Sequence, residues 1–308
     1  MVGALRQFLR DKSGNVPYDG AMRTHVNSVG LLVRSDPALS FSYPSHIDRA
    51  SLDALPSQPG IYIFRDAAGV AIYVGKSVNI RTRVLSHLRT PDEMAMLTRT
   101  THIDFERTGG EIGALLREAQ LIKQLQPVFN QKLRRTREMC GYLLPPDHMA
   151  LQLVFGREQD FAATDHLFGL FGSRQAAQEA LRDLVQLHGL CPALLGLEKI
   201  SRGRACFAHQ IGRCRGACTG AESHDVHRRR LLDALAAWQV ARWPFGGAIG
   251  IVEVSDGLRQ VQLVDRWCYL GVKPKGRRRK LPRGEFDIDV YQILRKPLLA
   301  GGLLIEPQ

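Results

Sequence analysis

From Pro59 the chain alternates between short apolar runs and turn signals. Gly60-Ile61-Tyr62-Ile63-Phe64 and Ala71-Ile72-Tyr73-Val74-Gly75 are rich in β-branched and aromatic residues, and Asp66-Ala67-Ala68-Gly69 between them has turn composition. The pattern predicts a hairpin. With a four-residue loop, Arg65 pairs with Val70 and Tyr62 faces Tyr73, so two phenols share one face. A helix follows, capped by Ser77 or Asn79, with Ile80, Val84 and Leu88 as its apolar stripe. Beside that stripe, Lys76, Asn79, Arg83 and His87 make a polar, mostly cationic row. His102 to Thr108, with Ile103 and Phe105 alternating, predicts a third strand. Gly109-Gly110 breaks the chain, and Glu111 to about Gln126 predicts a helix that Pro127 stops.

Further along, Ser173 to His188 has the periodicity of a helix, with Ser173 as cap and Gly189 just past its end. Ser223 to Arg242 predicts another, halted by Pro244. From about Ala248 the pattern suggests short strands, such as Ala248 to Val254 and Gln260 to Leu270, interrupted by the basic cluster Lys273, Lys275, Arg277, Arg278, Arg279 and Lys280. Residues 1–50 have no sustained period and are expected to form an irregular arm. The expected class is α+β: a small three-stranded antiparallel sheet flanked by helices (51–140), a helical cysteine-rich region (141–244) and a small α+β C-terminal region (245–308).

Composition narrows the partners. The 308 residues carry a net charge of +12 and are 44% apolar, as in a folded protein with a polyanionic partner. A solvated basic surface is the plainer alternative. The first twenty residues carry charges where the apolar core of a secretory signal would run, and no stretch approaches the length of a membrane span. A cytoplasmic protein with reduced or metal-bound cysteines is therefore expected.

Two groups of residues suggest chemistry. The helical neighbours of Glu118 (Ala114, Leu115, Leu121, Ile122) are all apolar. An acid on such a face needs a divalent cation, a basic group from the hairpin, or a route to water. Tyr62, Tyr73, Lys76 and Arg83 are unremarkable singly. Cys191, Cys206, Cys214 and Cys218 fall within a short span, which in a cytosolic protein suggests a metal site. Four thiolates suit tetrahedral Zn²⁺ or an iron–sulfur cluster, and spacing alone does not choose between them. Chance clustering of buried thiols is the alternative, and His209 offers a Cys₃His variant.

Taken in order, these segments resemble the GIY-YIG nucleases of the UvrC type. Gly60-Ile61-Tyr62 and Tyr73-Val74-Gly75-Lys76 resemble the paired signature, with Val74 in place of the usual Ile. The run from Lys76 to Arg83, the segment Glu118-Ala119-Gln120-Leu121-Ile122-Lys123, and Pro127-Val128-Phe129-Asn130 are similar to the family's next three elements. The resemblance implies metal-dependent phosphodiester hydrolysis. Glu118 would hold one Mg²⁺ or Mn²⁺ and Arg83 would clamp the phosphate. Tyr73 would accept the proton of the attacking water, its phenolate favoured by Lys76 and the metal. Tyr62 would orient that water or share its proton, and Asn130 would support the site. His87 stands where UvrC relatives often have tyrosine, and would relay protons or contact the DNA backbone.

The stretch from Ser201 to Cys218 is similar to the cysteine-rich part of UvrC. This implies a [4Fe–4S] cluster on Cys191, Cys206, Cys214 and Cys218, with Zn²⁺ the alternative. About ninety residues follow Cys218, too few for the second nuclease and DNA-binding modules of a full UvrC, so a short single-nuclease homologue is expected. The resemblance further implies damaged double-stranded DNA and UvrB as partners, no membrane or small-molecule substrate, and a cut on the 3′ side of a lesion. A GIY-YIG nuclease of restriction or mobile-element type, or a non-catalytic DNA-binding scaffold, are the rival readings.

Overall fold

The computed structural model describes residues 44–130, 139–146, 148–201, 204–274 and 284–308. Most of the expected N-terminal arm (1–43) and the 275–280 part of the basic cluster lie outside the described residues. In chain order the elements are α1 (Arg49–Asp53), β1 (Gly60–Arg65), β2 (Ala71–Ser77), α2 (Ile80–His87), α3 (Met94–Arg99), β3 (His102–Arg107) and α4 (Glu111–Leu125). There follow β4 (Cys140–Leu143), β5 (Gln152–Phe155), β6 (Leu167–Phe171), α5 (Arg174–His188), α6 (Phe207–Gln210) and α7 (His224–Leu235). The last are β7 (Ile249–Ser255), β8 (Leu258–Asp265), β9 (Cys268–Val272), α8 (Ile288–Leu299) and β10 (Ile305–Pro307).

The α+β class holds. The first sheet is antiparallel in the order β2-β1-β3. Its central strand buries both faces. Tyr62 and Phe64 pack with Ile80, Val84 and Leu97 on one side, and Ile61 and Ile63 with Leu121 and Ile122 of α4 on the other. That is why β1 reads as an unbroken apolar run. Residues 44–50 are not an irregular arm: Ile47 is buried in this first core, and the Asp48 side chain caps α1.

The hairpin register differs from the expected one. Asp66 accepts hydrogen bonds through its side chain from the amides of Ala68 and Val70, drawing Val70 into the loop. Arg65 then pairs with Ala71, and a bulge after Phe64 sets Phe64 opposite Tyr73 and Tyr62 opposite Gly75. The expected pairing of Tyr62 with Tyr73 is thus offset by two residues. A strand repeats every two residues, so the two phenols keep the same face. They meet diagonally, with ring centroids 6.2 Å apart.

Downstream, β5-β4-β6 form a second sheet, covered by α5 and α7 through Tyr142, Phe168, Leu181 and Leu231. The sequence reading contained none of these three short strands. It also made α7 too long. The helix ends at Leu235, a single 3₁₀ turn follows, and Val240 donates its amide to the Leu167 carbonyl at 2.9 Å. The chain is drawn straight there because Val240 and Trp243 enter a different core. That core lies under the third sheet, β10-β7-β8-β9, and is closed by α8, a helix in a region read as strands. Asp287 caps α8, and Val290, Leu294 and Leu298 line its buried face at helical spacing. Among the described residues, no helix is long and apolar enough to cross a membrane.

Candidate active site

The first sheet, α2 and α4 bring the expected residues into one pocket. Tyr62 is almost wholly buried, and its ring lies across β2 so closely that a Cβ on Gly75 would fall 2.4 Å from the phenol oxygen. Glycine at 75 is required by that approach, not by backbone angle. Asn79 caps α2 by accepting from the Thr82 amide at 3.0 Å, which starts the helix that carries Arg83 and His87. Asn130 is buried at the edge of β2. Its side chain accepts from the Val74 amide at 2.9 Å and donates to the Val74 carbonyl at 2.8 Å, pairing with the edge strand as a neighbouring strand would. The strand bearing Tyr73 and Lys76 is thereby fixed.

Glu118 reaches across from α4 and accepts a 3.0 Å hydrogen bond from the Lys76 backbone amide. Burial pushes its carboxyl up to about 7, against the opposing pull of the Lys76 and Arg83 charges. Such an acid is poised to take a positive charge. The Lys76 ammonium points elsewhere and pairs with Glu111 at 2.7 Å. The expectation that Lys76 would favour a Tyr73 phenolate is therefore corrected. Burial raises Tyr73, and the Glu118 charge raises it further, while its interaction with the Tyr62 phenol and the charge of Arg83 offset only part of this. Tyr62 is raised well above its ordinary value, again by burial first and by Tyr73 second. Both phenols are neutral at rest.

His87 is 2% exposed. Its Nε2 lies 2.6 Å from the Tyr62 hydroxyl and its Nδ1 contacts the Glu93 carboxylate. Both ring nitrogens are engaged, and the ring is enclosed by Tyr62, Phe64 and Tyr73. Glu93 and Glu111 were not found by sequence reasoning. Each pairs with a site residue through the fold, at separations of 6 and 35 residues for which no pattern rule exists.

The second group also assembles. The sulfurs of Cys191, Cys206 and Cys214 all lie within 4.8 Å of one another, on buried residues. The Cys218 sulfur accepts from the Cys206 amide at 3.4 Å. Burial pushes the Cys191 thiol up to about 11. His209 is turned aside, with Nδ1 on the Cys214 carbonyl at 2.9 Å. His227, also missed, accepts from the Cys191 amide at 3.0 Å and fixes that cysteine's backbone.

Comparison with known proteins identifies the whole arrangement. Three family descriptions match in succession: a UvrC-like GIY-YIG domain over residues 58–131, a UvrC/Cho excinuclease middle domain over 143–237, and an excinuclease Cho C-terminal domain over 248–307. Excinuclease cho of Escherichia coli strain K12 is 45% identical over 271 residues, covering 86% of this chain and 90% of that protein. The chain belongs to the excinuclease Cho family. As a member it is a DNA endonuclease of the UvrC-type GIY-YIG class, with excision repair as its setting. Excinuclease cho of Salmonella typhimurium is 44% identical with similar coverage. The UvrABC system protein C of Nitrobacter winogradskyi is 36% identical over 185 residues, which is 58% of this chain but 27% of that protein. The GIY-YIG N-terminal endonuclease domain of UvrC from Thermotoga maritima, bound to magnesium as its catalytic divalent cation, is 31% identical. It covers 27% of this chain and 93% of its own, at a TM-score of 0.25, a likeness too slight to argue from.

Proposed function

We propose that this Cho-family endonuclease hydrolyses one phosphodiester bond on the 3′ side of a lesion, in damaged double-stranded DNA carrying UvrB, in the cytoplasm. The observation that carries the reading is the position of Glu118: one largely buried carboxylate beside two phenols and a guanidinium, hydrogen-bonded to the Lys76 backbone amide. A lone carboxylate suits Mg²⁺ or Mn²⁺, which keep most of their water shell. When bound, such a cation supplies positive charge where negative charge builds up on the phosphate and the departing oxygen.

The chain's own residues do the rest. Arg83, on an exposed turn of α2 and interacting with Tyr62, grips the phosphate and opposes its developing charge. Tyr73 takes the proton of the attacking water, and Tyr62 holds Tyr73 in place. Lys76, half-exposed and paired with Glu111, adds positive charge at the rim. Asn130 keeps β2 straight beneath them. The net charge of +12 supports binding to the DNA backbone.

The test is a nicking assay on lesion-bearing duplex, with and without UvrB and Mg²⁺, using the intact chain and Glu118→Ala. Incision that needs the lesion, UvrB and the cation, and that falls by two orders of magnitude or more in the variant while DNA binding persists, is expected. Cutting that depends on a base sequence instead, or full activity without Glu118, overturns the proposal.

For the cysteines, the reading is a [4Fe–4S] cluster on Cys191, Cys206, Cys214 and Cys218. Its support is three mutually close buried sulfurs with a fourth alongside. Protein purified without oxygen should be brown, with iron and sulfide in equal amounts. A colourless protein with stoichiometric zinc would falsify this.

A further inference from the structure

The pocket contains a proton acceptor that the reaction has not yet used. A neutral phenol of raised pKa is a poor base by itself. Arg83 offsets only part of the rise at Tyr73, and the Lys76 ammonium is on Glu111. The proton that Tyr73 takes from water must therefore move on. Tyr73 interacts through its phenol with Tyr62, and the Tyr62 hydroxyl lies 2.6 Å from His87 Nε2. On the far side of the ring, Nδ1 contacts the carboxylate of Glu93.

The backbone brings Glu93 there. α2 ends at His87, the amide of Thr90 donates to the His87 carbonyl at 3.0 Å, and Pro91 opens a 3₁₀ turn in which the Glu93 amide donates to the Thr90 carbonyl at 3.2 Å. This tight return places a carboxylate six residues away against the buried imidazole. The Glu93 side chain is 31% exposed and the His87 side chain 2%. The chain of groups thus runs from the reaction pocket, through a buried ring, to solvent.

We infer that Glu93 is a positioning residue for this reaction, forming with His87 and Tyr62 a relay that draws the water's proton away from the reacting atoms. The inference rests on the nuclease reading above. An ionised carboxylate only accepts hydrogen bonds, so the proton of neutral His87 sits on Nδ1 and Nε2 offers its lone pair to Tyr62. As the water oxygen attacks phosphorus, one of its O–H bonds breaks and the proton passes to the Tyr73 oxygen. The Tyr73 proton passes to Tyr62 and the Tyr62 proton to Nε2, leaving both phenols as they began. The new P–O bond replaces the bond to the leaving oxygen, which departs with its electron pair and takes a proton from solvent. His87 is then an imidazolium paired with Glu93, and once the product has left, its Nε2 proton returns through Tyr62 and Tyr73 to water entering the pocket, which restores the Nδ1–H form. A carboxylate that orients histidine and steadies its charged form is a known device in hydrolases.

Four other ionisable groups face His87 or its partners: Tyr62 on β1, Tyr73 on β2, Arg83 on α2 and, through the phenols, Glu118 on α4. Burial lowers His87, Arg83 lowers it too, and Glu93 pulls the other way. Removing the Glu93 charge therefore lowers His87 further. The relay works from neutral His87, so its loss on acidification sets the acid limb of the rate profile, and that limb moves to lower pH in the variant.

The test compares the intact chain with Glu93→Gln, whose amide oxygen still accepts from Nδ1. Nicking rates are measured against pH at saturating DNA and Mg²⁺. The expected result is a rate roughly 10- to 100-fold lower at alkaline pH, an acid limb shifted to lower pH, and unchanged DNA affinity. A purely structural role would lower the rate and leave the limb in place, and that outcome overturns the relay. Nitrogen-15 spectra of labelled histidine, assigned by His87→Gln, give a second measurement that needs no activity. The Nδ1–H tautomer is expected, and the Nε2–H tautomer overturns the relay. If the intact chain cuts no DNA, the nuclease reading fails, while the spectra still decide the hydrogen-bond arrangement.

Discussion

Glu118 shows how one residue links stability to function. Its carboxyl ordinarily ionises near 4.5, and in the folded, cation-free protein it does so at about 7. Below the lower value both folded and unfolded chains hold the proton, and nothing is lost. Between the two values the unfolded chain releases it more readily, so the folded state is progressively penalised, and above the higher value the penalty is constant. Its upper bound is about 3 kcal/mol, since each pKa unit is about 1.4 kcal/mol. Glu118→Gln should therefore raise the melting temperature at pH 8 in the presence of a chelator and leave it unchanged at pH 4. An equal gain at both pH values would mean that burial of the charge is not the cause. The same penalty is relieved when a cation binds, so the destabilising acid is the one with most to gain from a metal.

At the scale of the element, α4 is the helix that aims Glu118, and its own sequence does not cap it. The N-cap residue is Gly110, which has no side chain to offer. The cap comes from β7: the carboxylate of Glu253 accepts from the amides of Ile112 at 2.8 Å and Gly113 at 2.7 Å, where negative charge meets the positive end of the helix. Beside it Gln260 accepts from the Gly109 amide at 2.9 Å. The glycines at 109, 110 and 113 make this possible. A Cβ at any of them would stand 2.3 to 2.7 Å from an atom of Glu253 or Gln262. Glu253→Ala should cost about 1–3 kcal/mol, seen as a lower denaturation midpoint, and should weaken Mg²⁺ binding by loosening the helix. Unchanged stability and cation affinity would show that α4 needs no support from the C-terminal sheet.

Across the whole molecule, that cap is one of several ties between the nuclease segment and the C-terminal sheet. Leu116 of α4 belongs to the same buried cluster as Trp267, Tyr291 and Leu294, and Ile112 packs against it. Lys123, near the other end of α4, is held by Asp287 and Asp289 at 2.6 Å each. One face of the helix thus closes the catalytic sheet while another closes a distant core. The amphipathic pattern of the segment, with Gly113, Ala114, Leu116, Ala119, Leu121 and Ile122 all buried, is broader than one interface requires.

Local chemistry made much of this legible in advance. Strand and helix signals around 60–126 are strong because both faces of β1 are buried and because Asn79, one of the two caps expected for α2, starts that helix; Ser173 and Gly189 mark the ends of α5 in the same way. The seven expected pocket residues were recognisable by motif order, and the structure gathers them. The hairpin register was misjudged because the Asp66 side chain, not the count of loop residues, decides where Val70 goes. The strands of 140–171 escaped notice because they are only four or five residues long. α7 was overextended because its end is set by a contact between Val240 and Leu167, far apart in the chain.

Periodicity, caps and the ordered motifs, all properties of near neighbours, were enough to determine the class, the nuclease segment and the cysteine set. Tertiary structure alone decided which charges meet: Lys76 with Glu111, His87 with Glu93, and Glu253 with the start of α4. Helical and strand periods are imposed by backbone geometry that every residue shares. An ion pair depends on where two separate elements come to rest, and that is fixed only when the cores between them have packed.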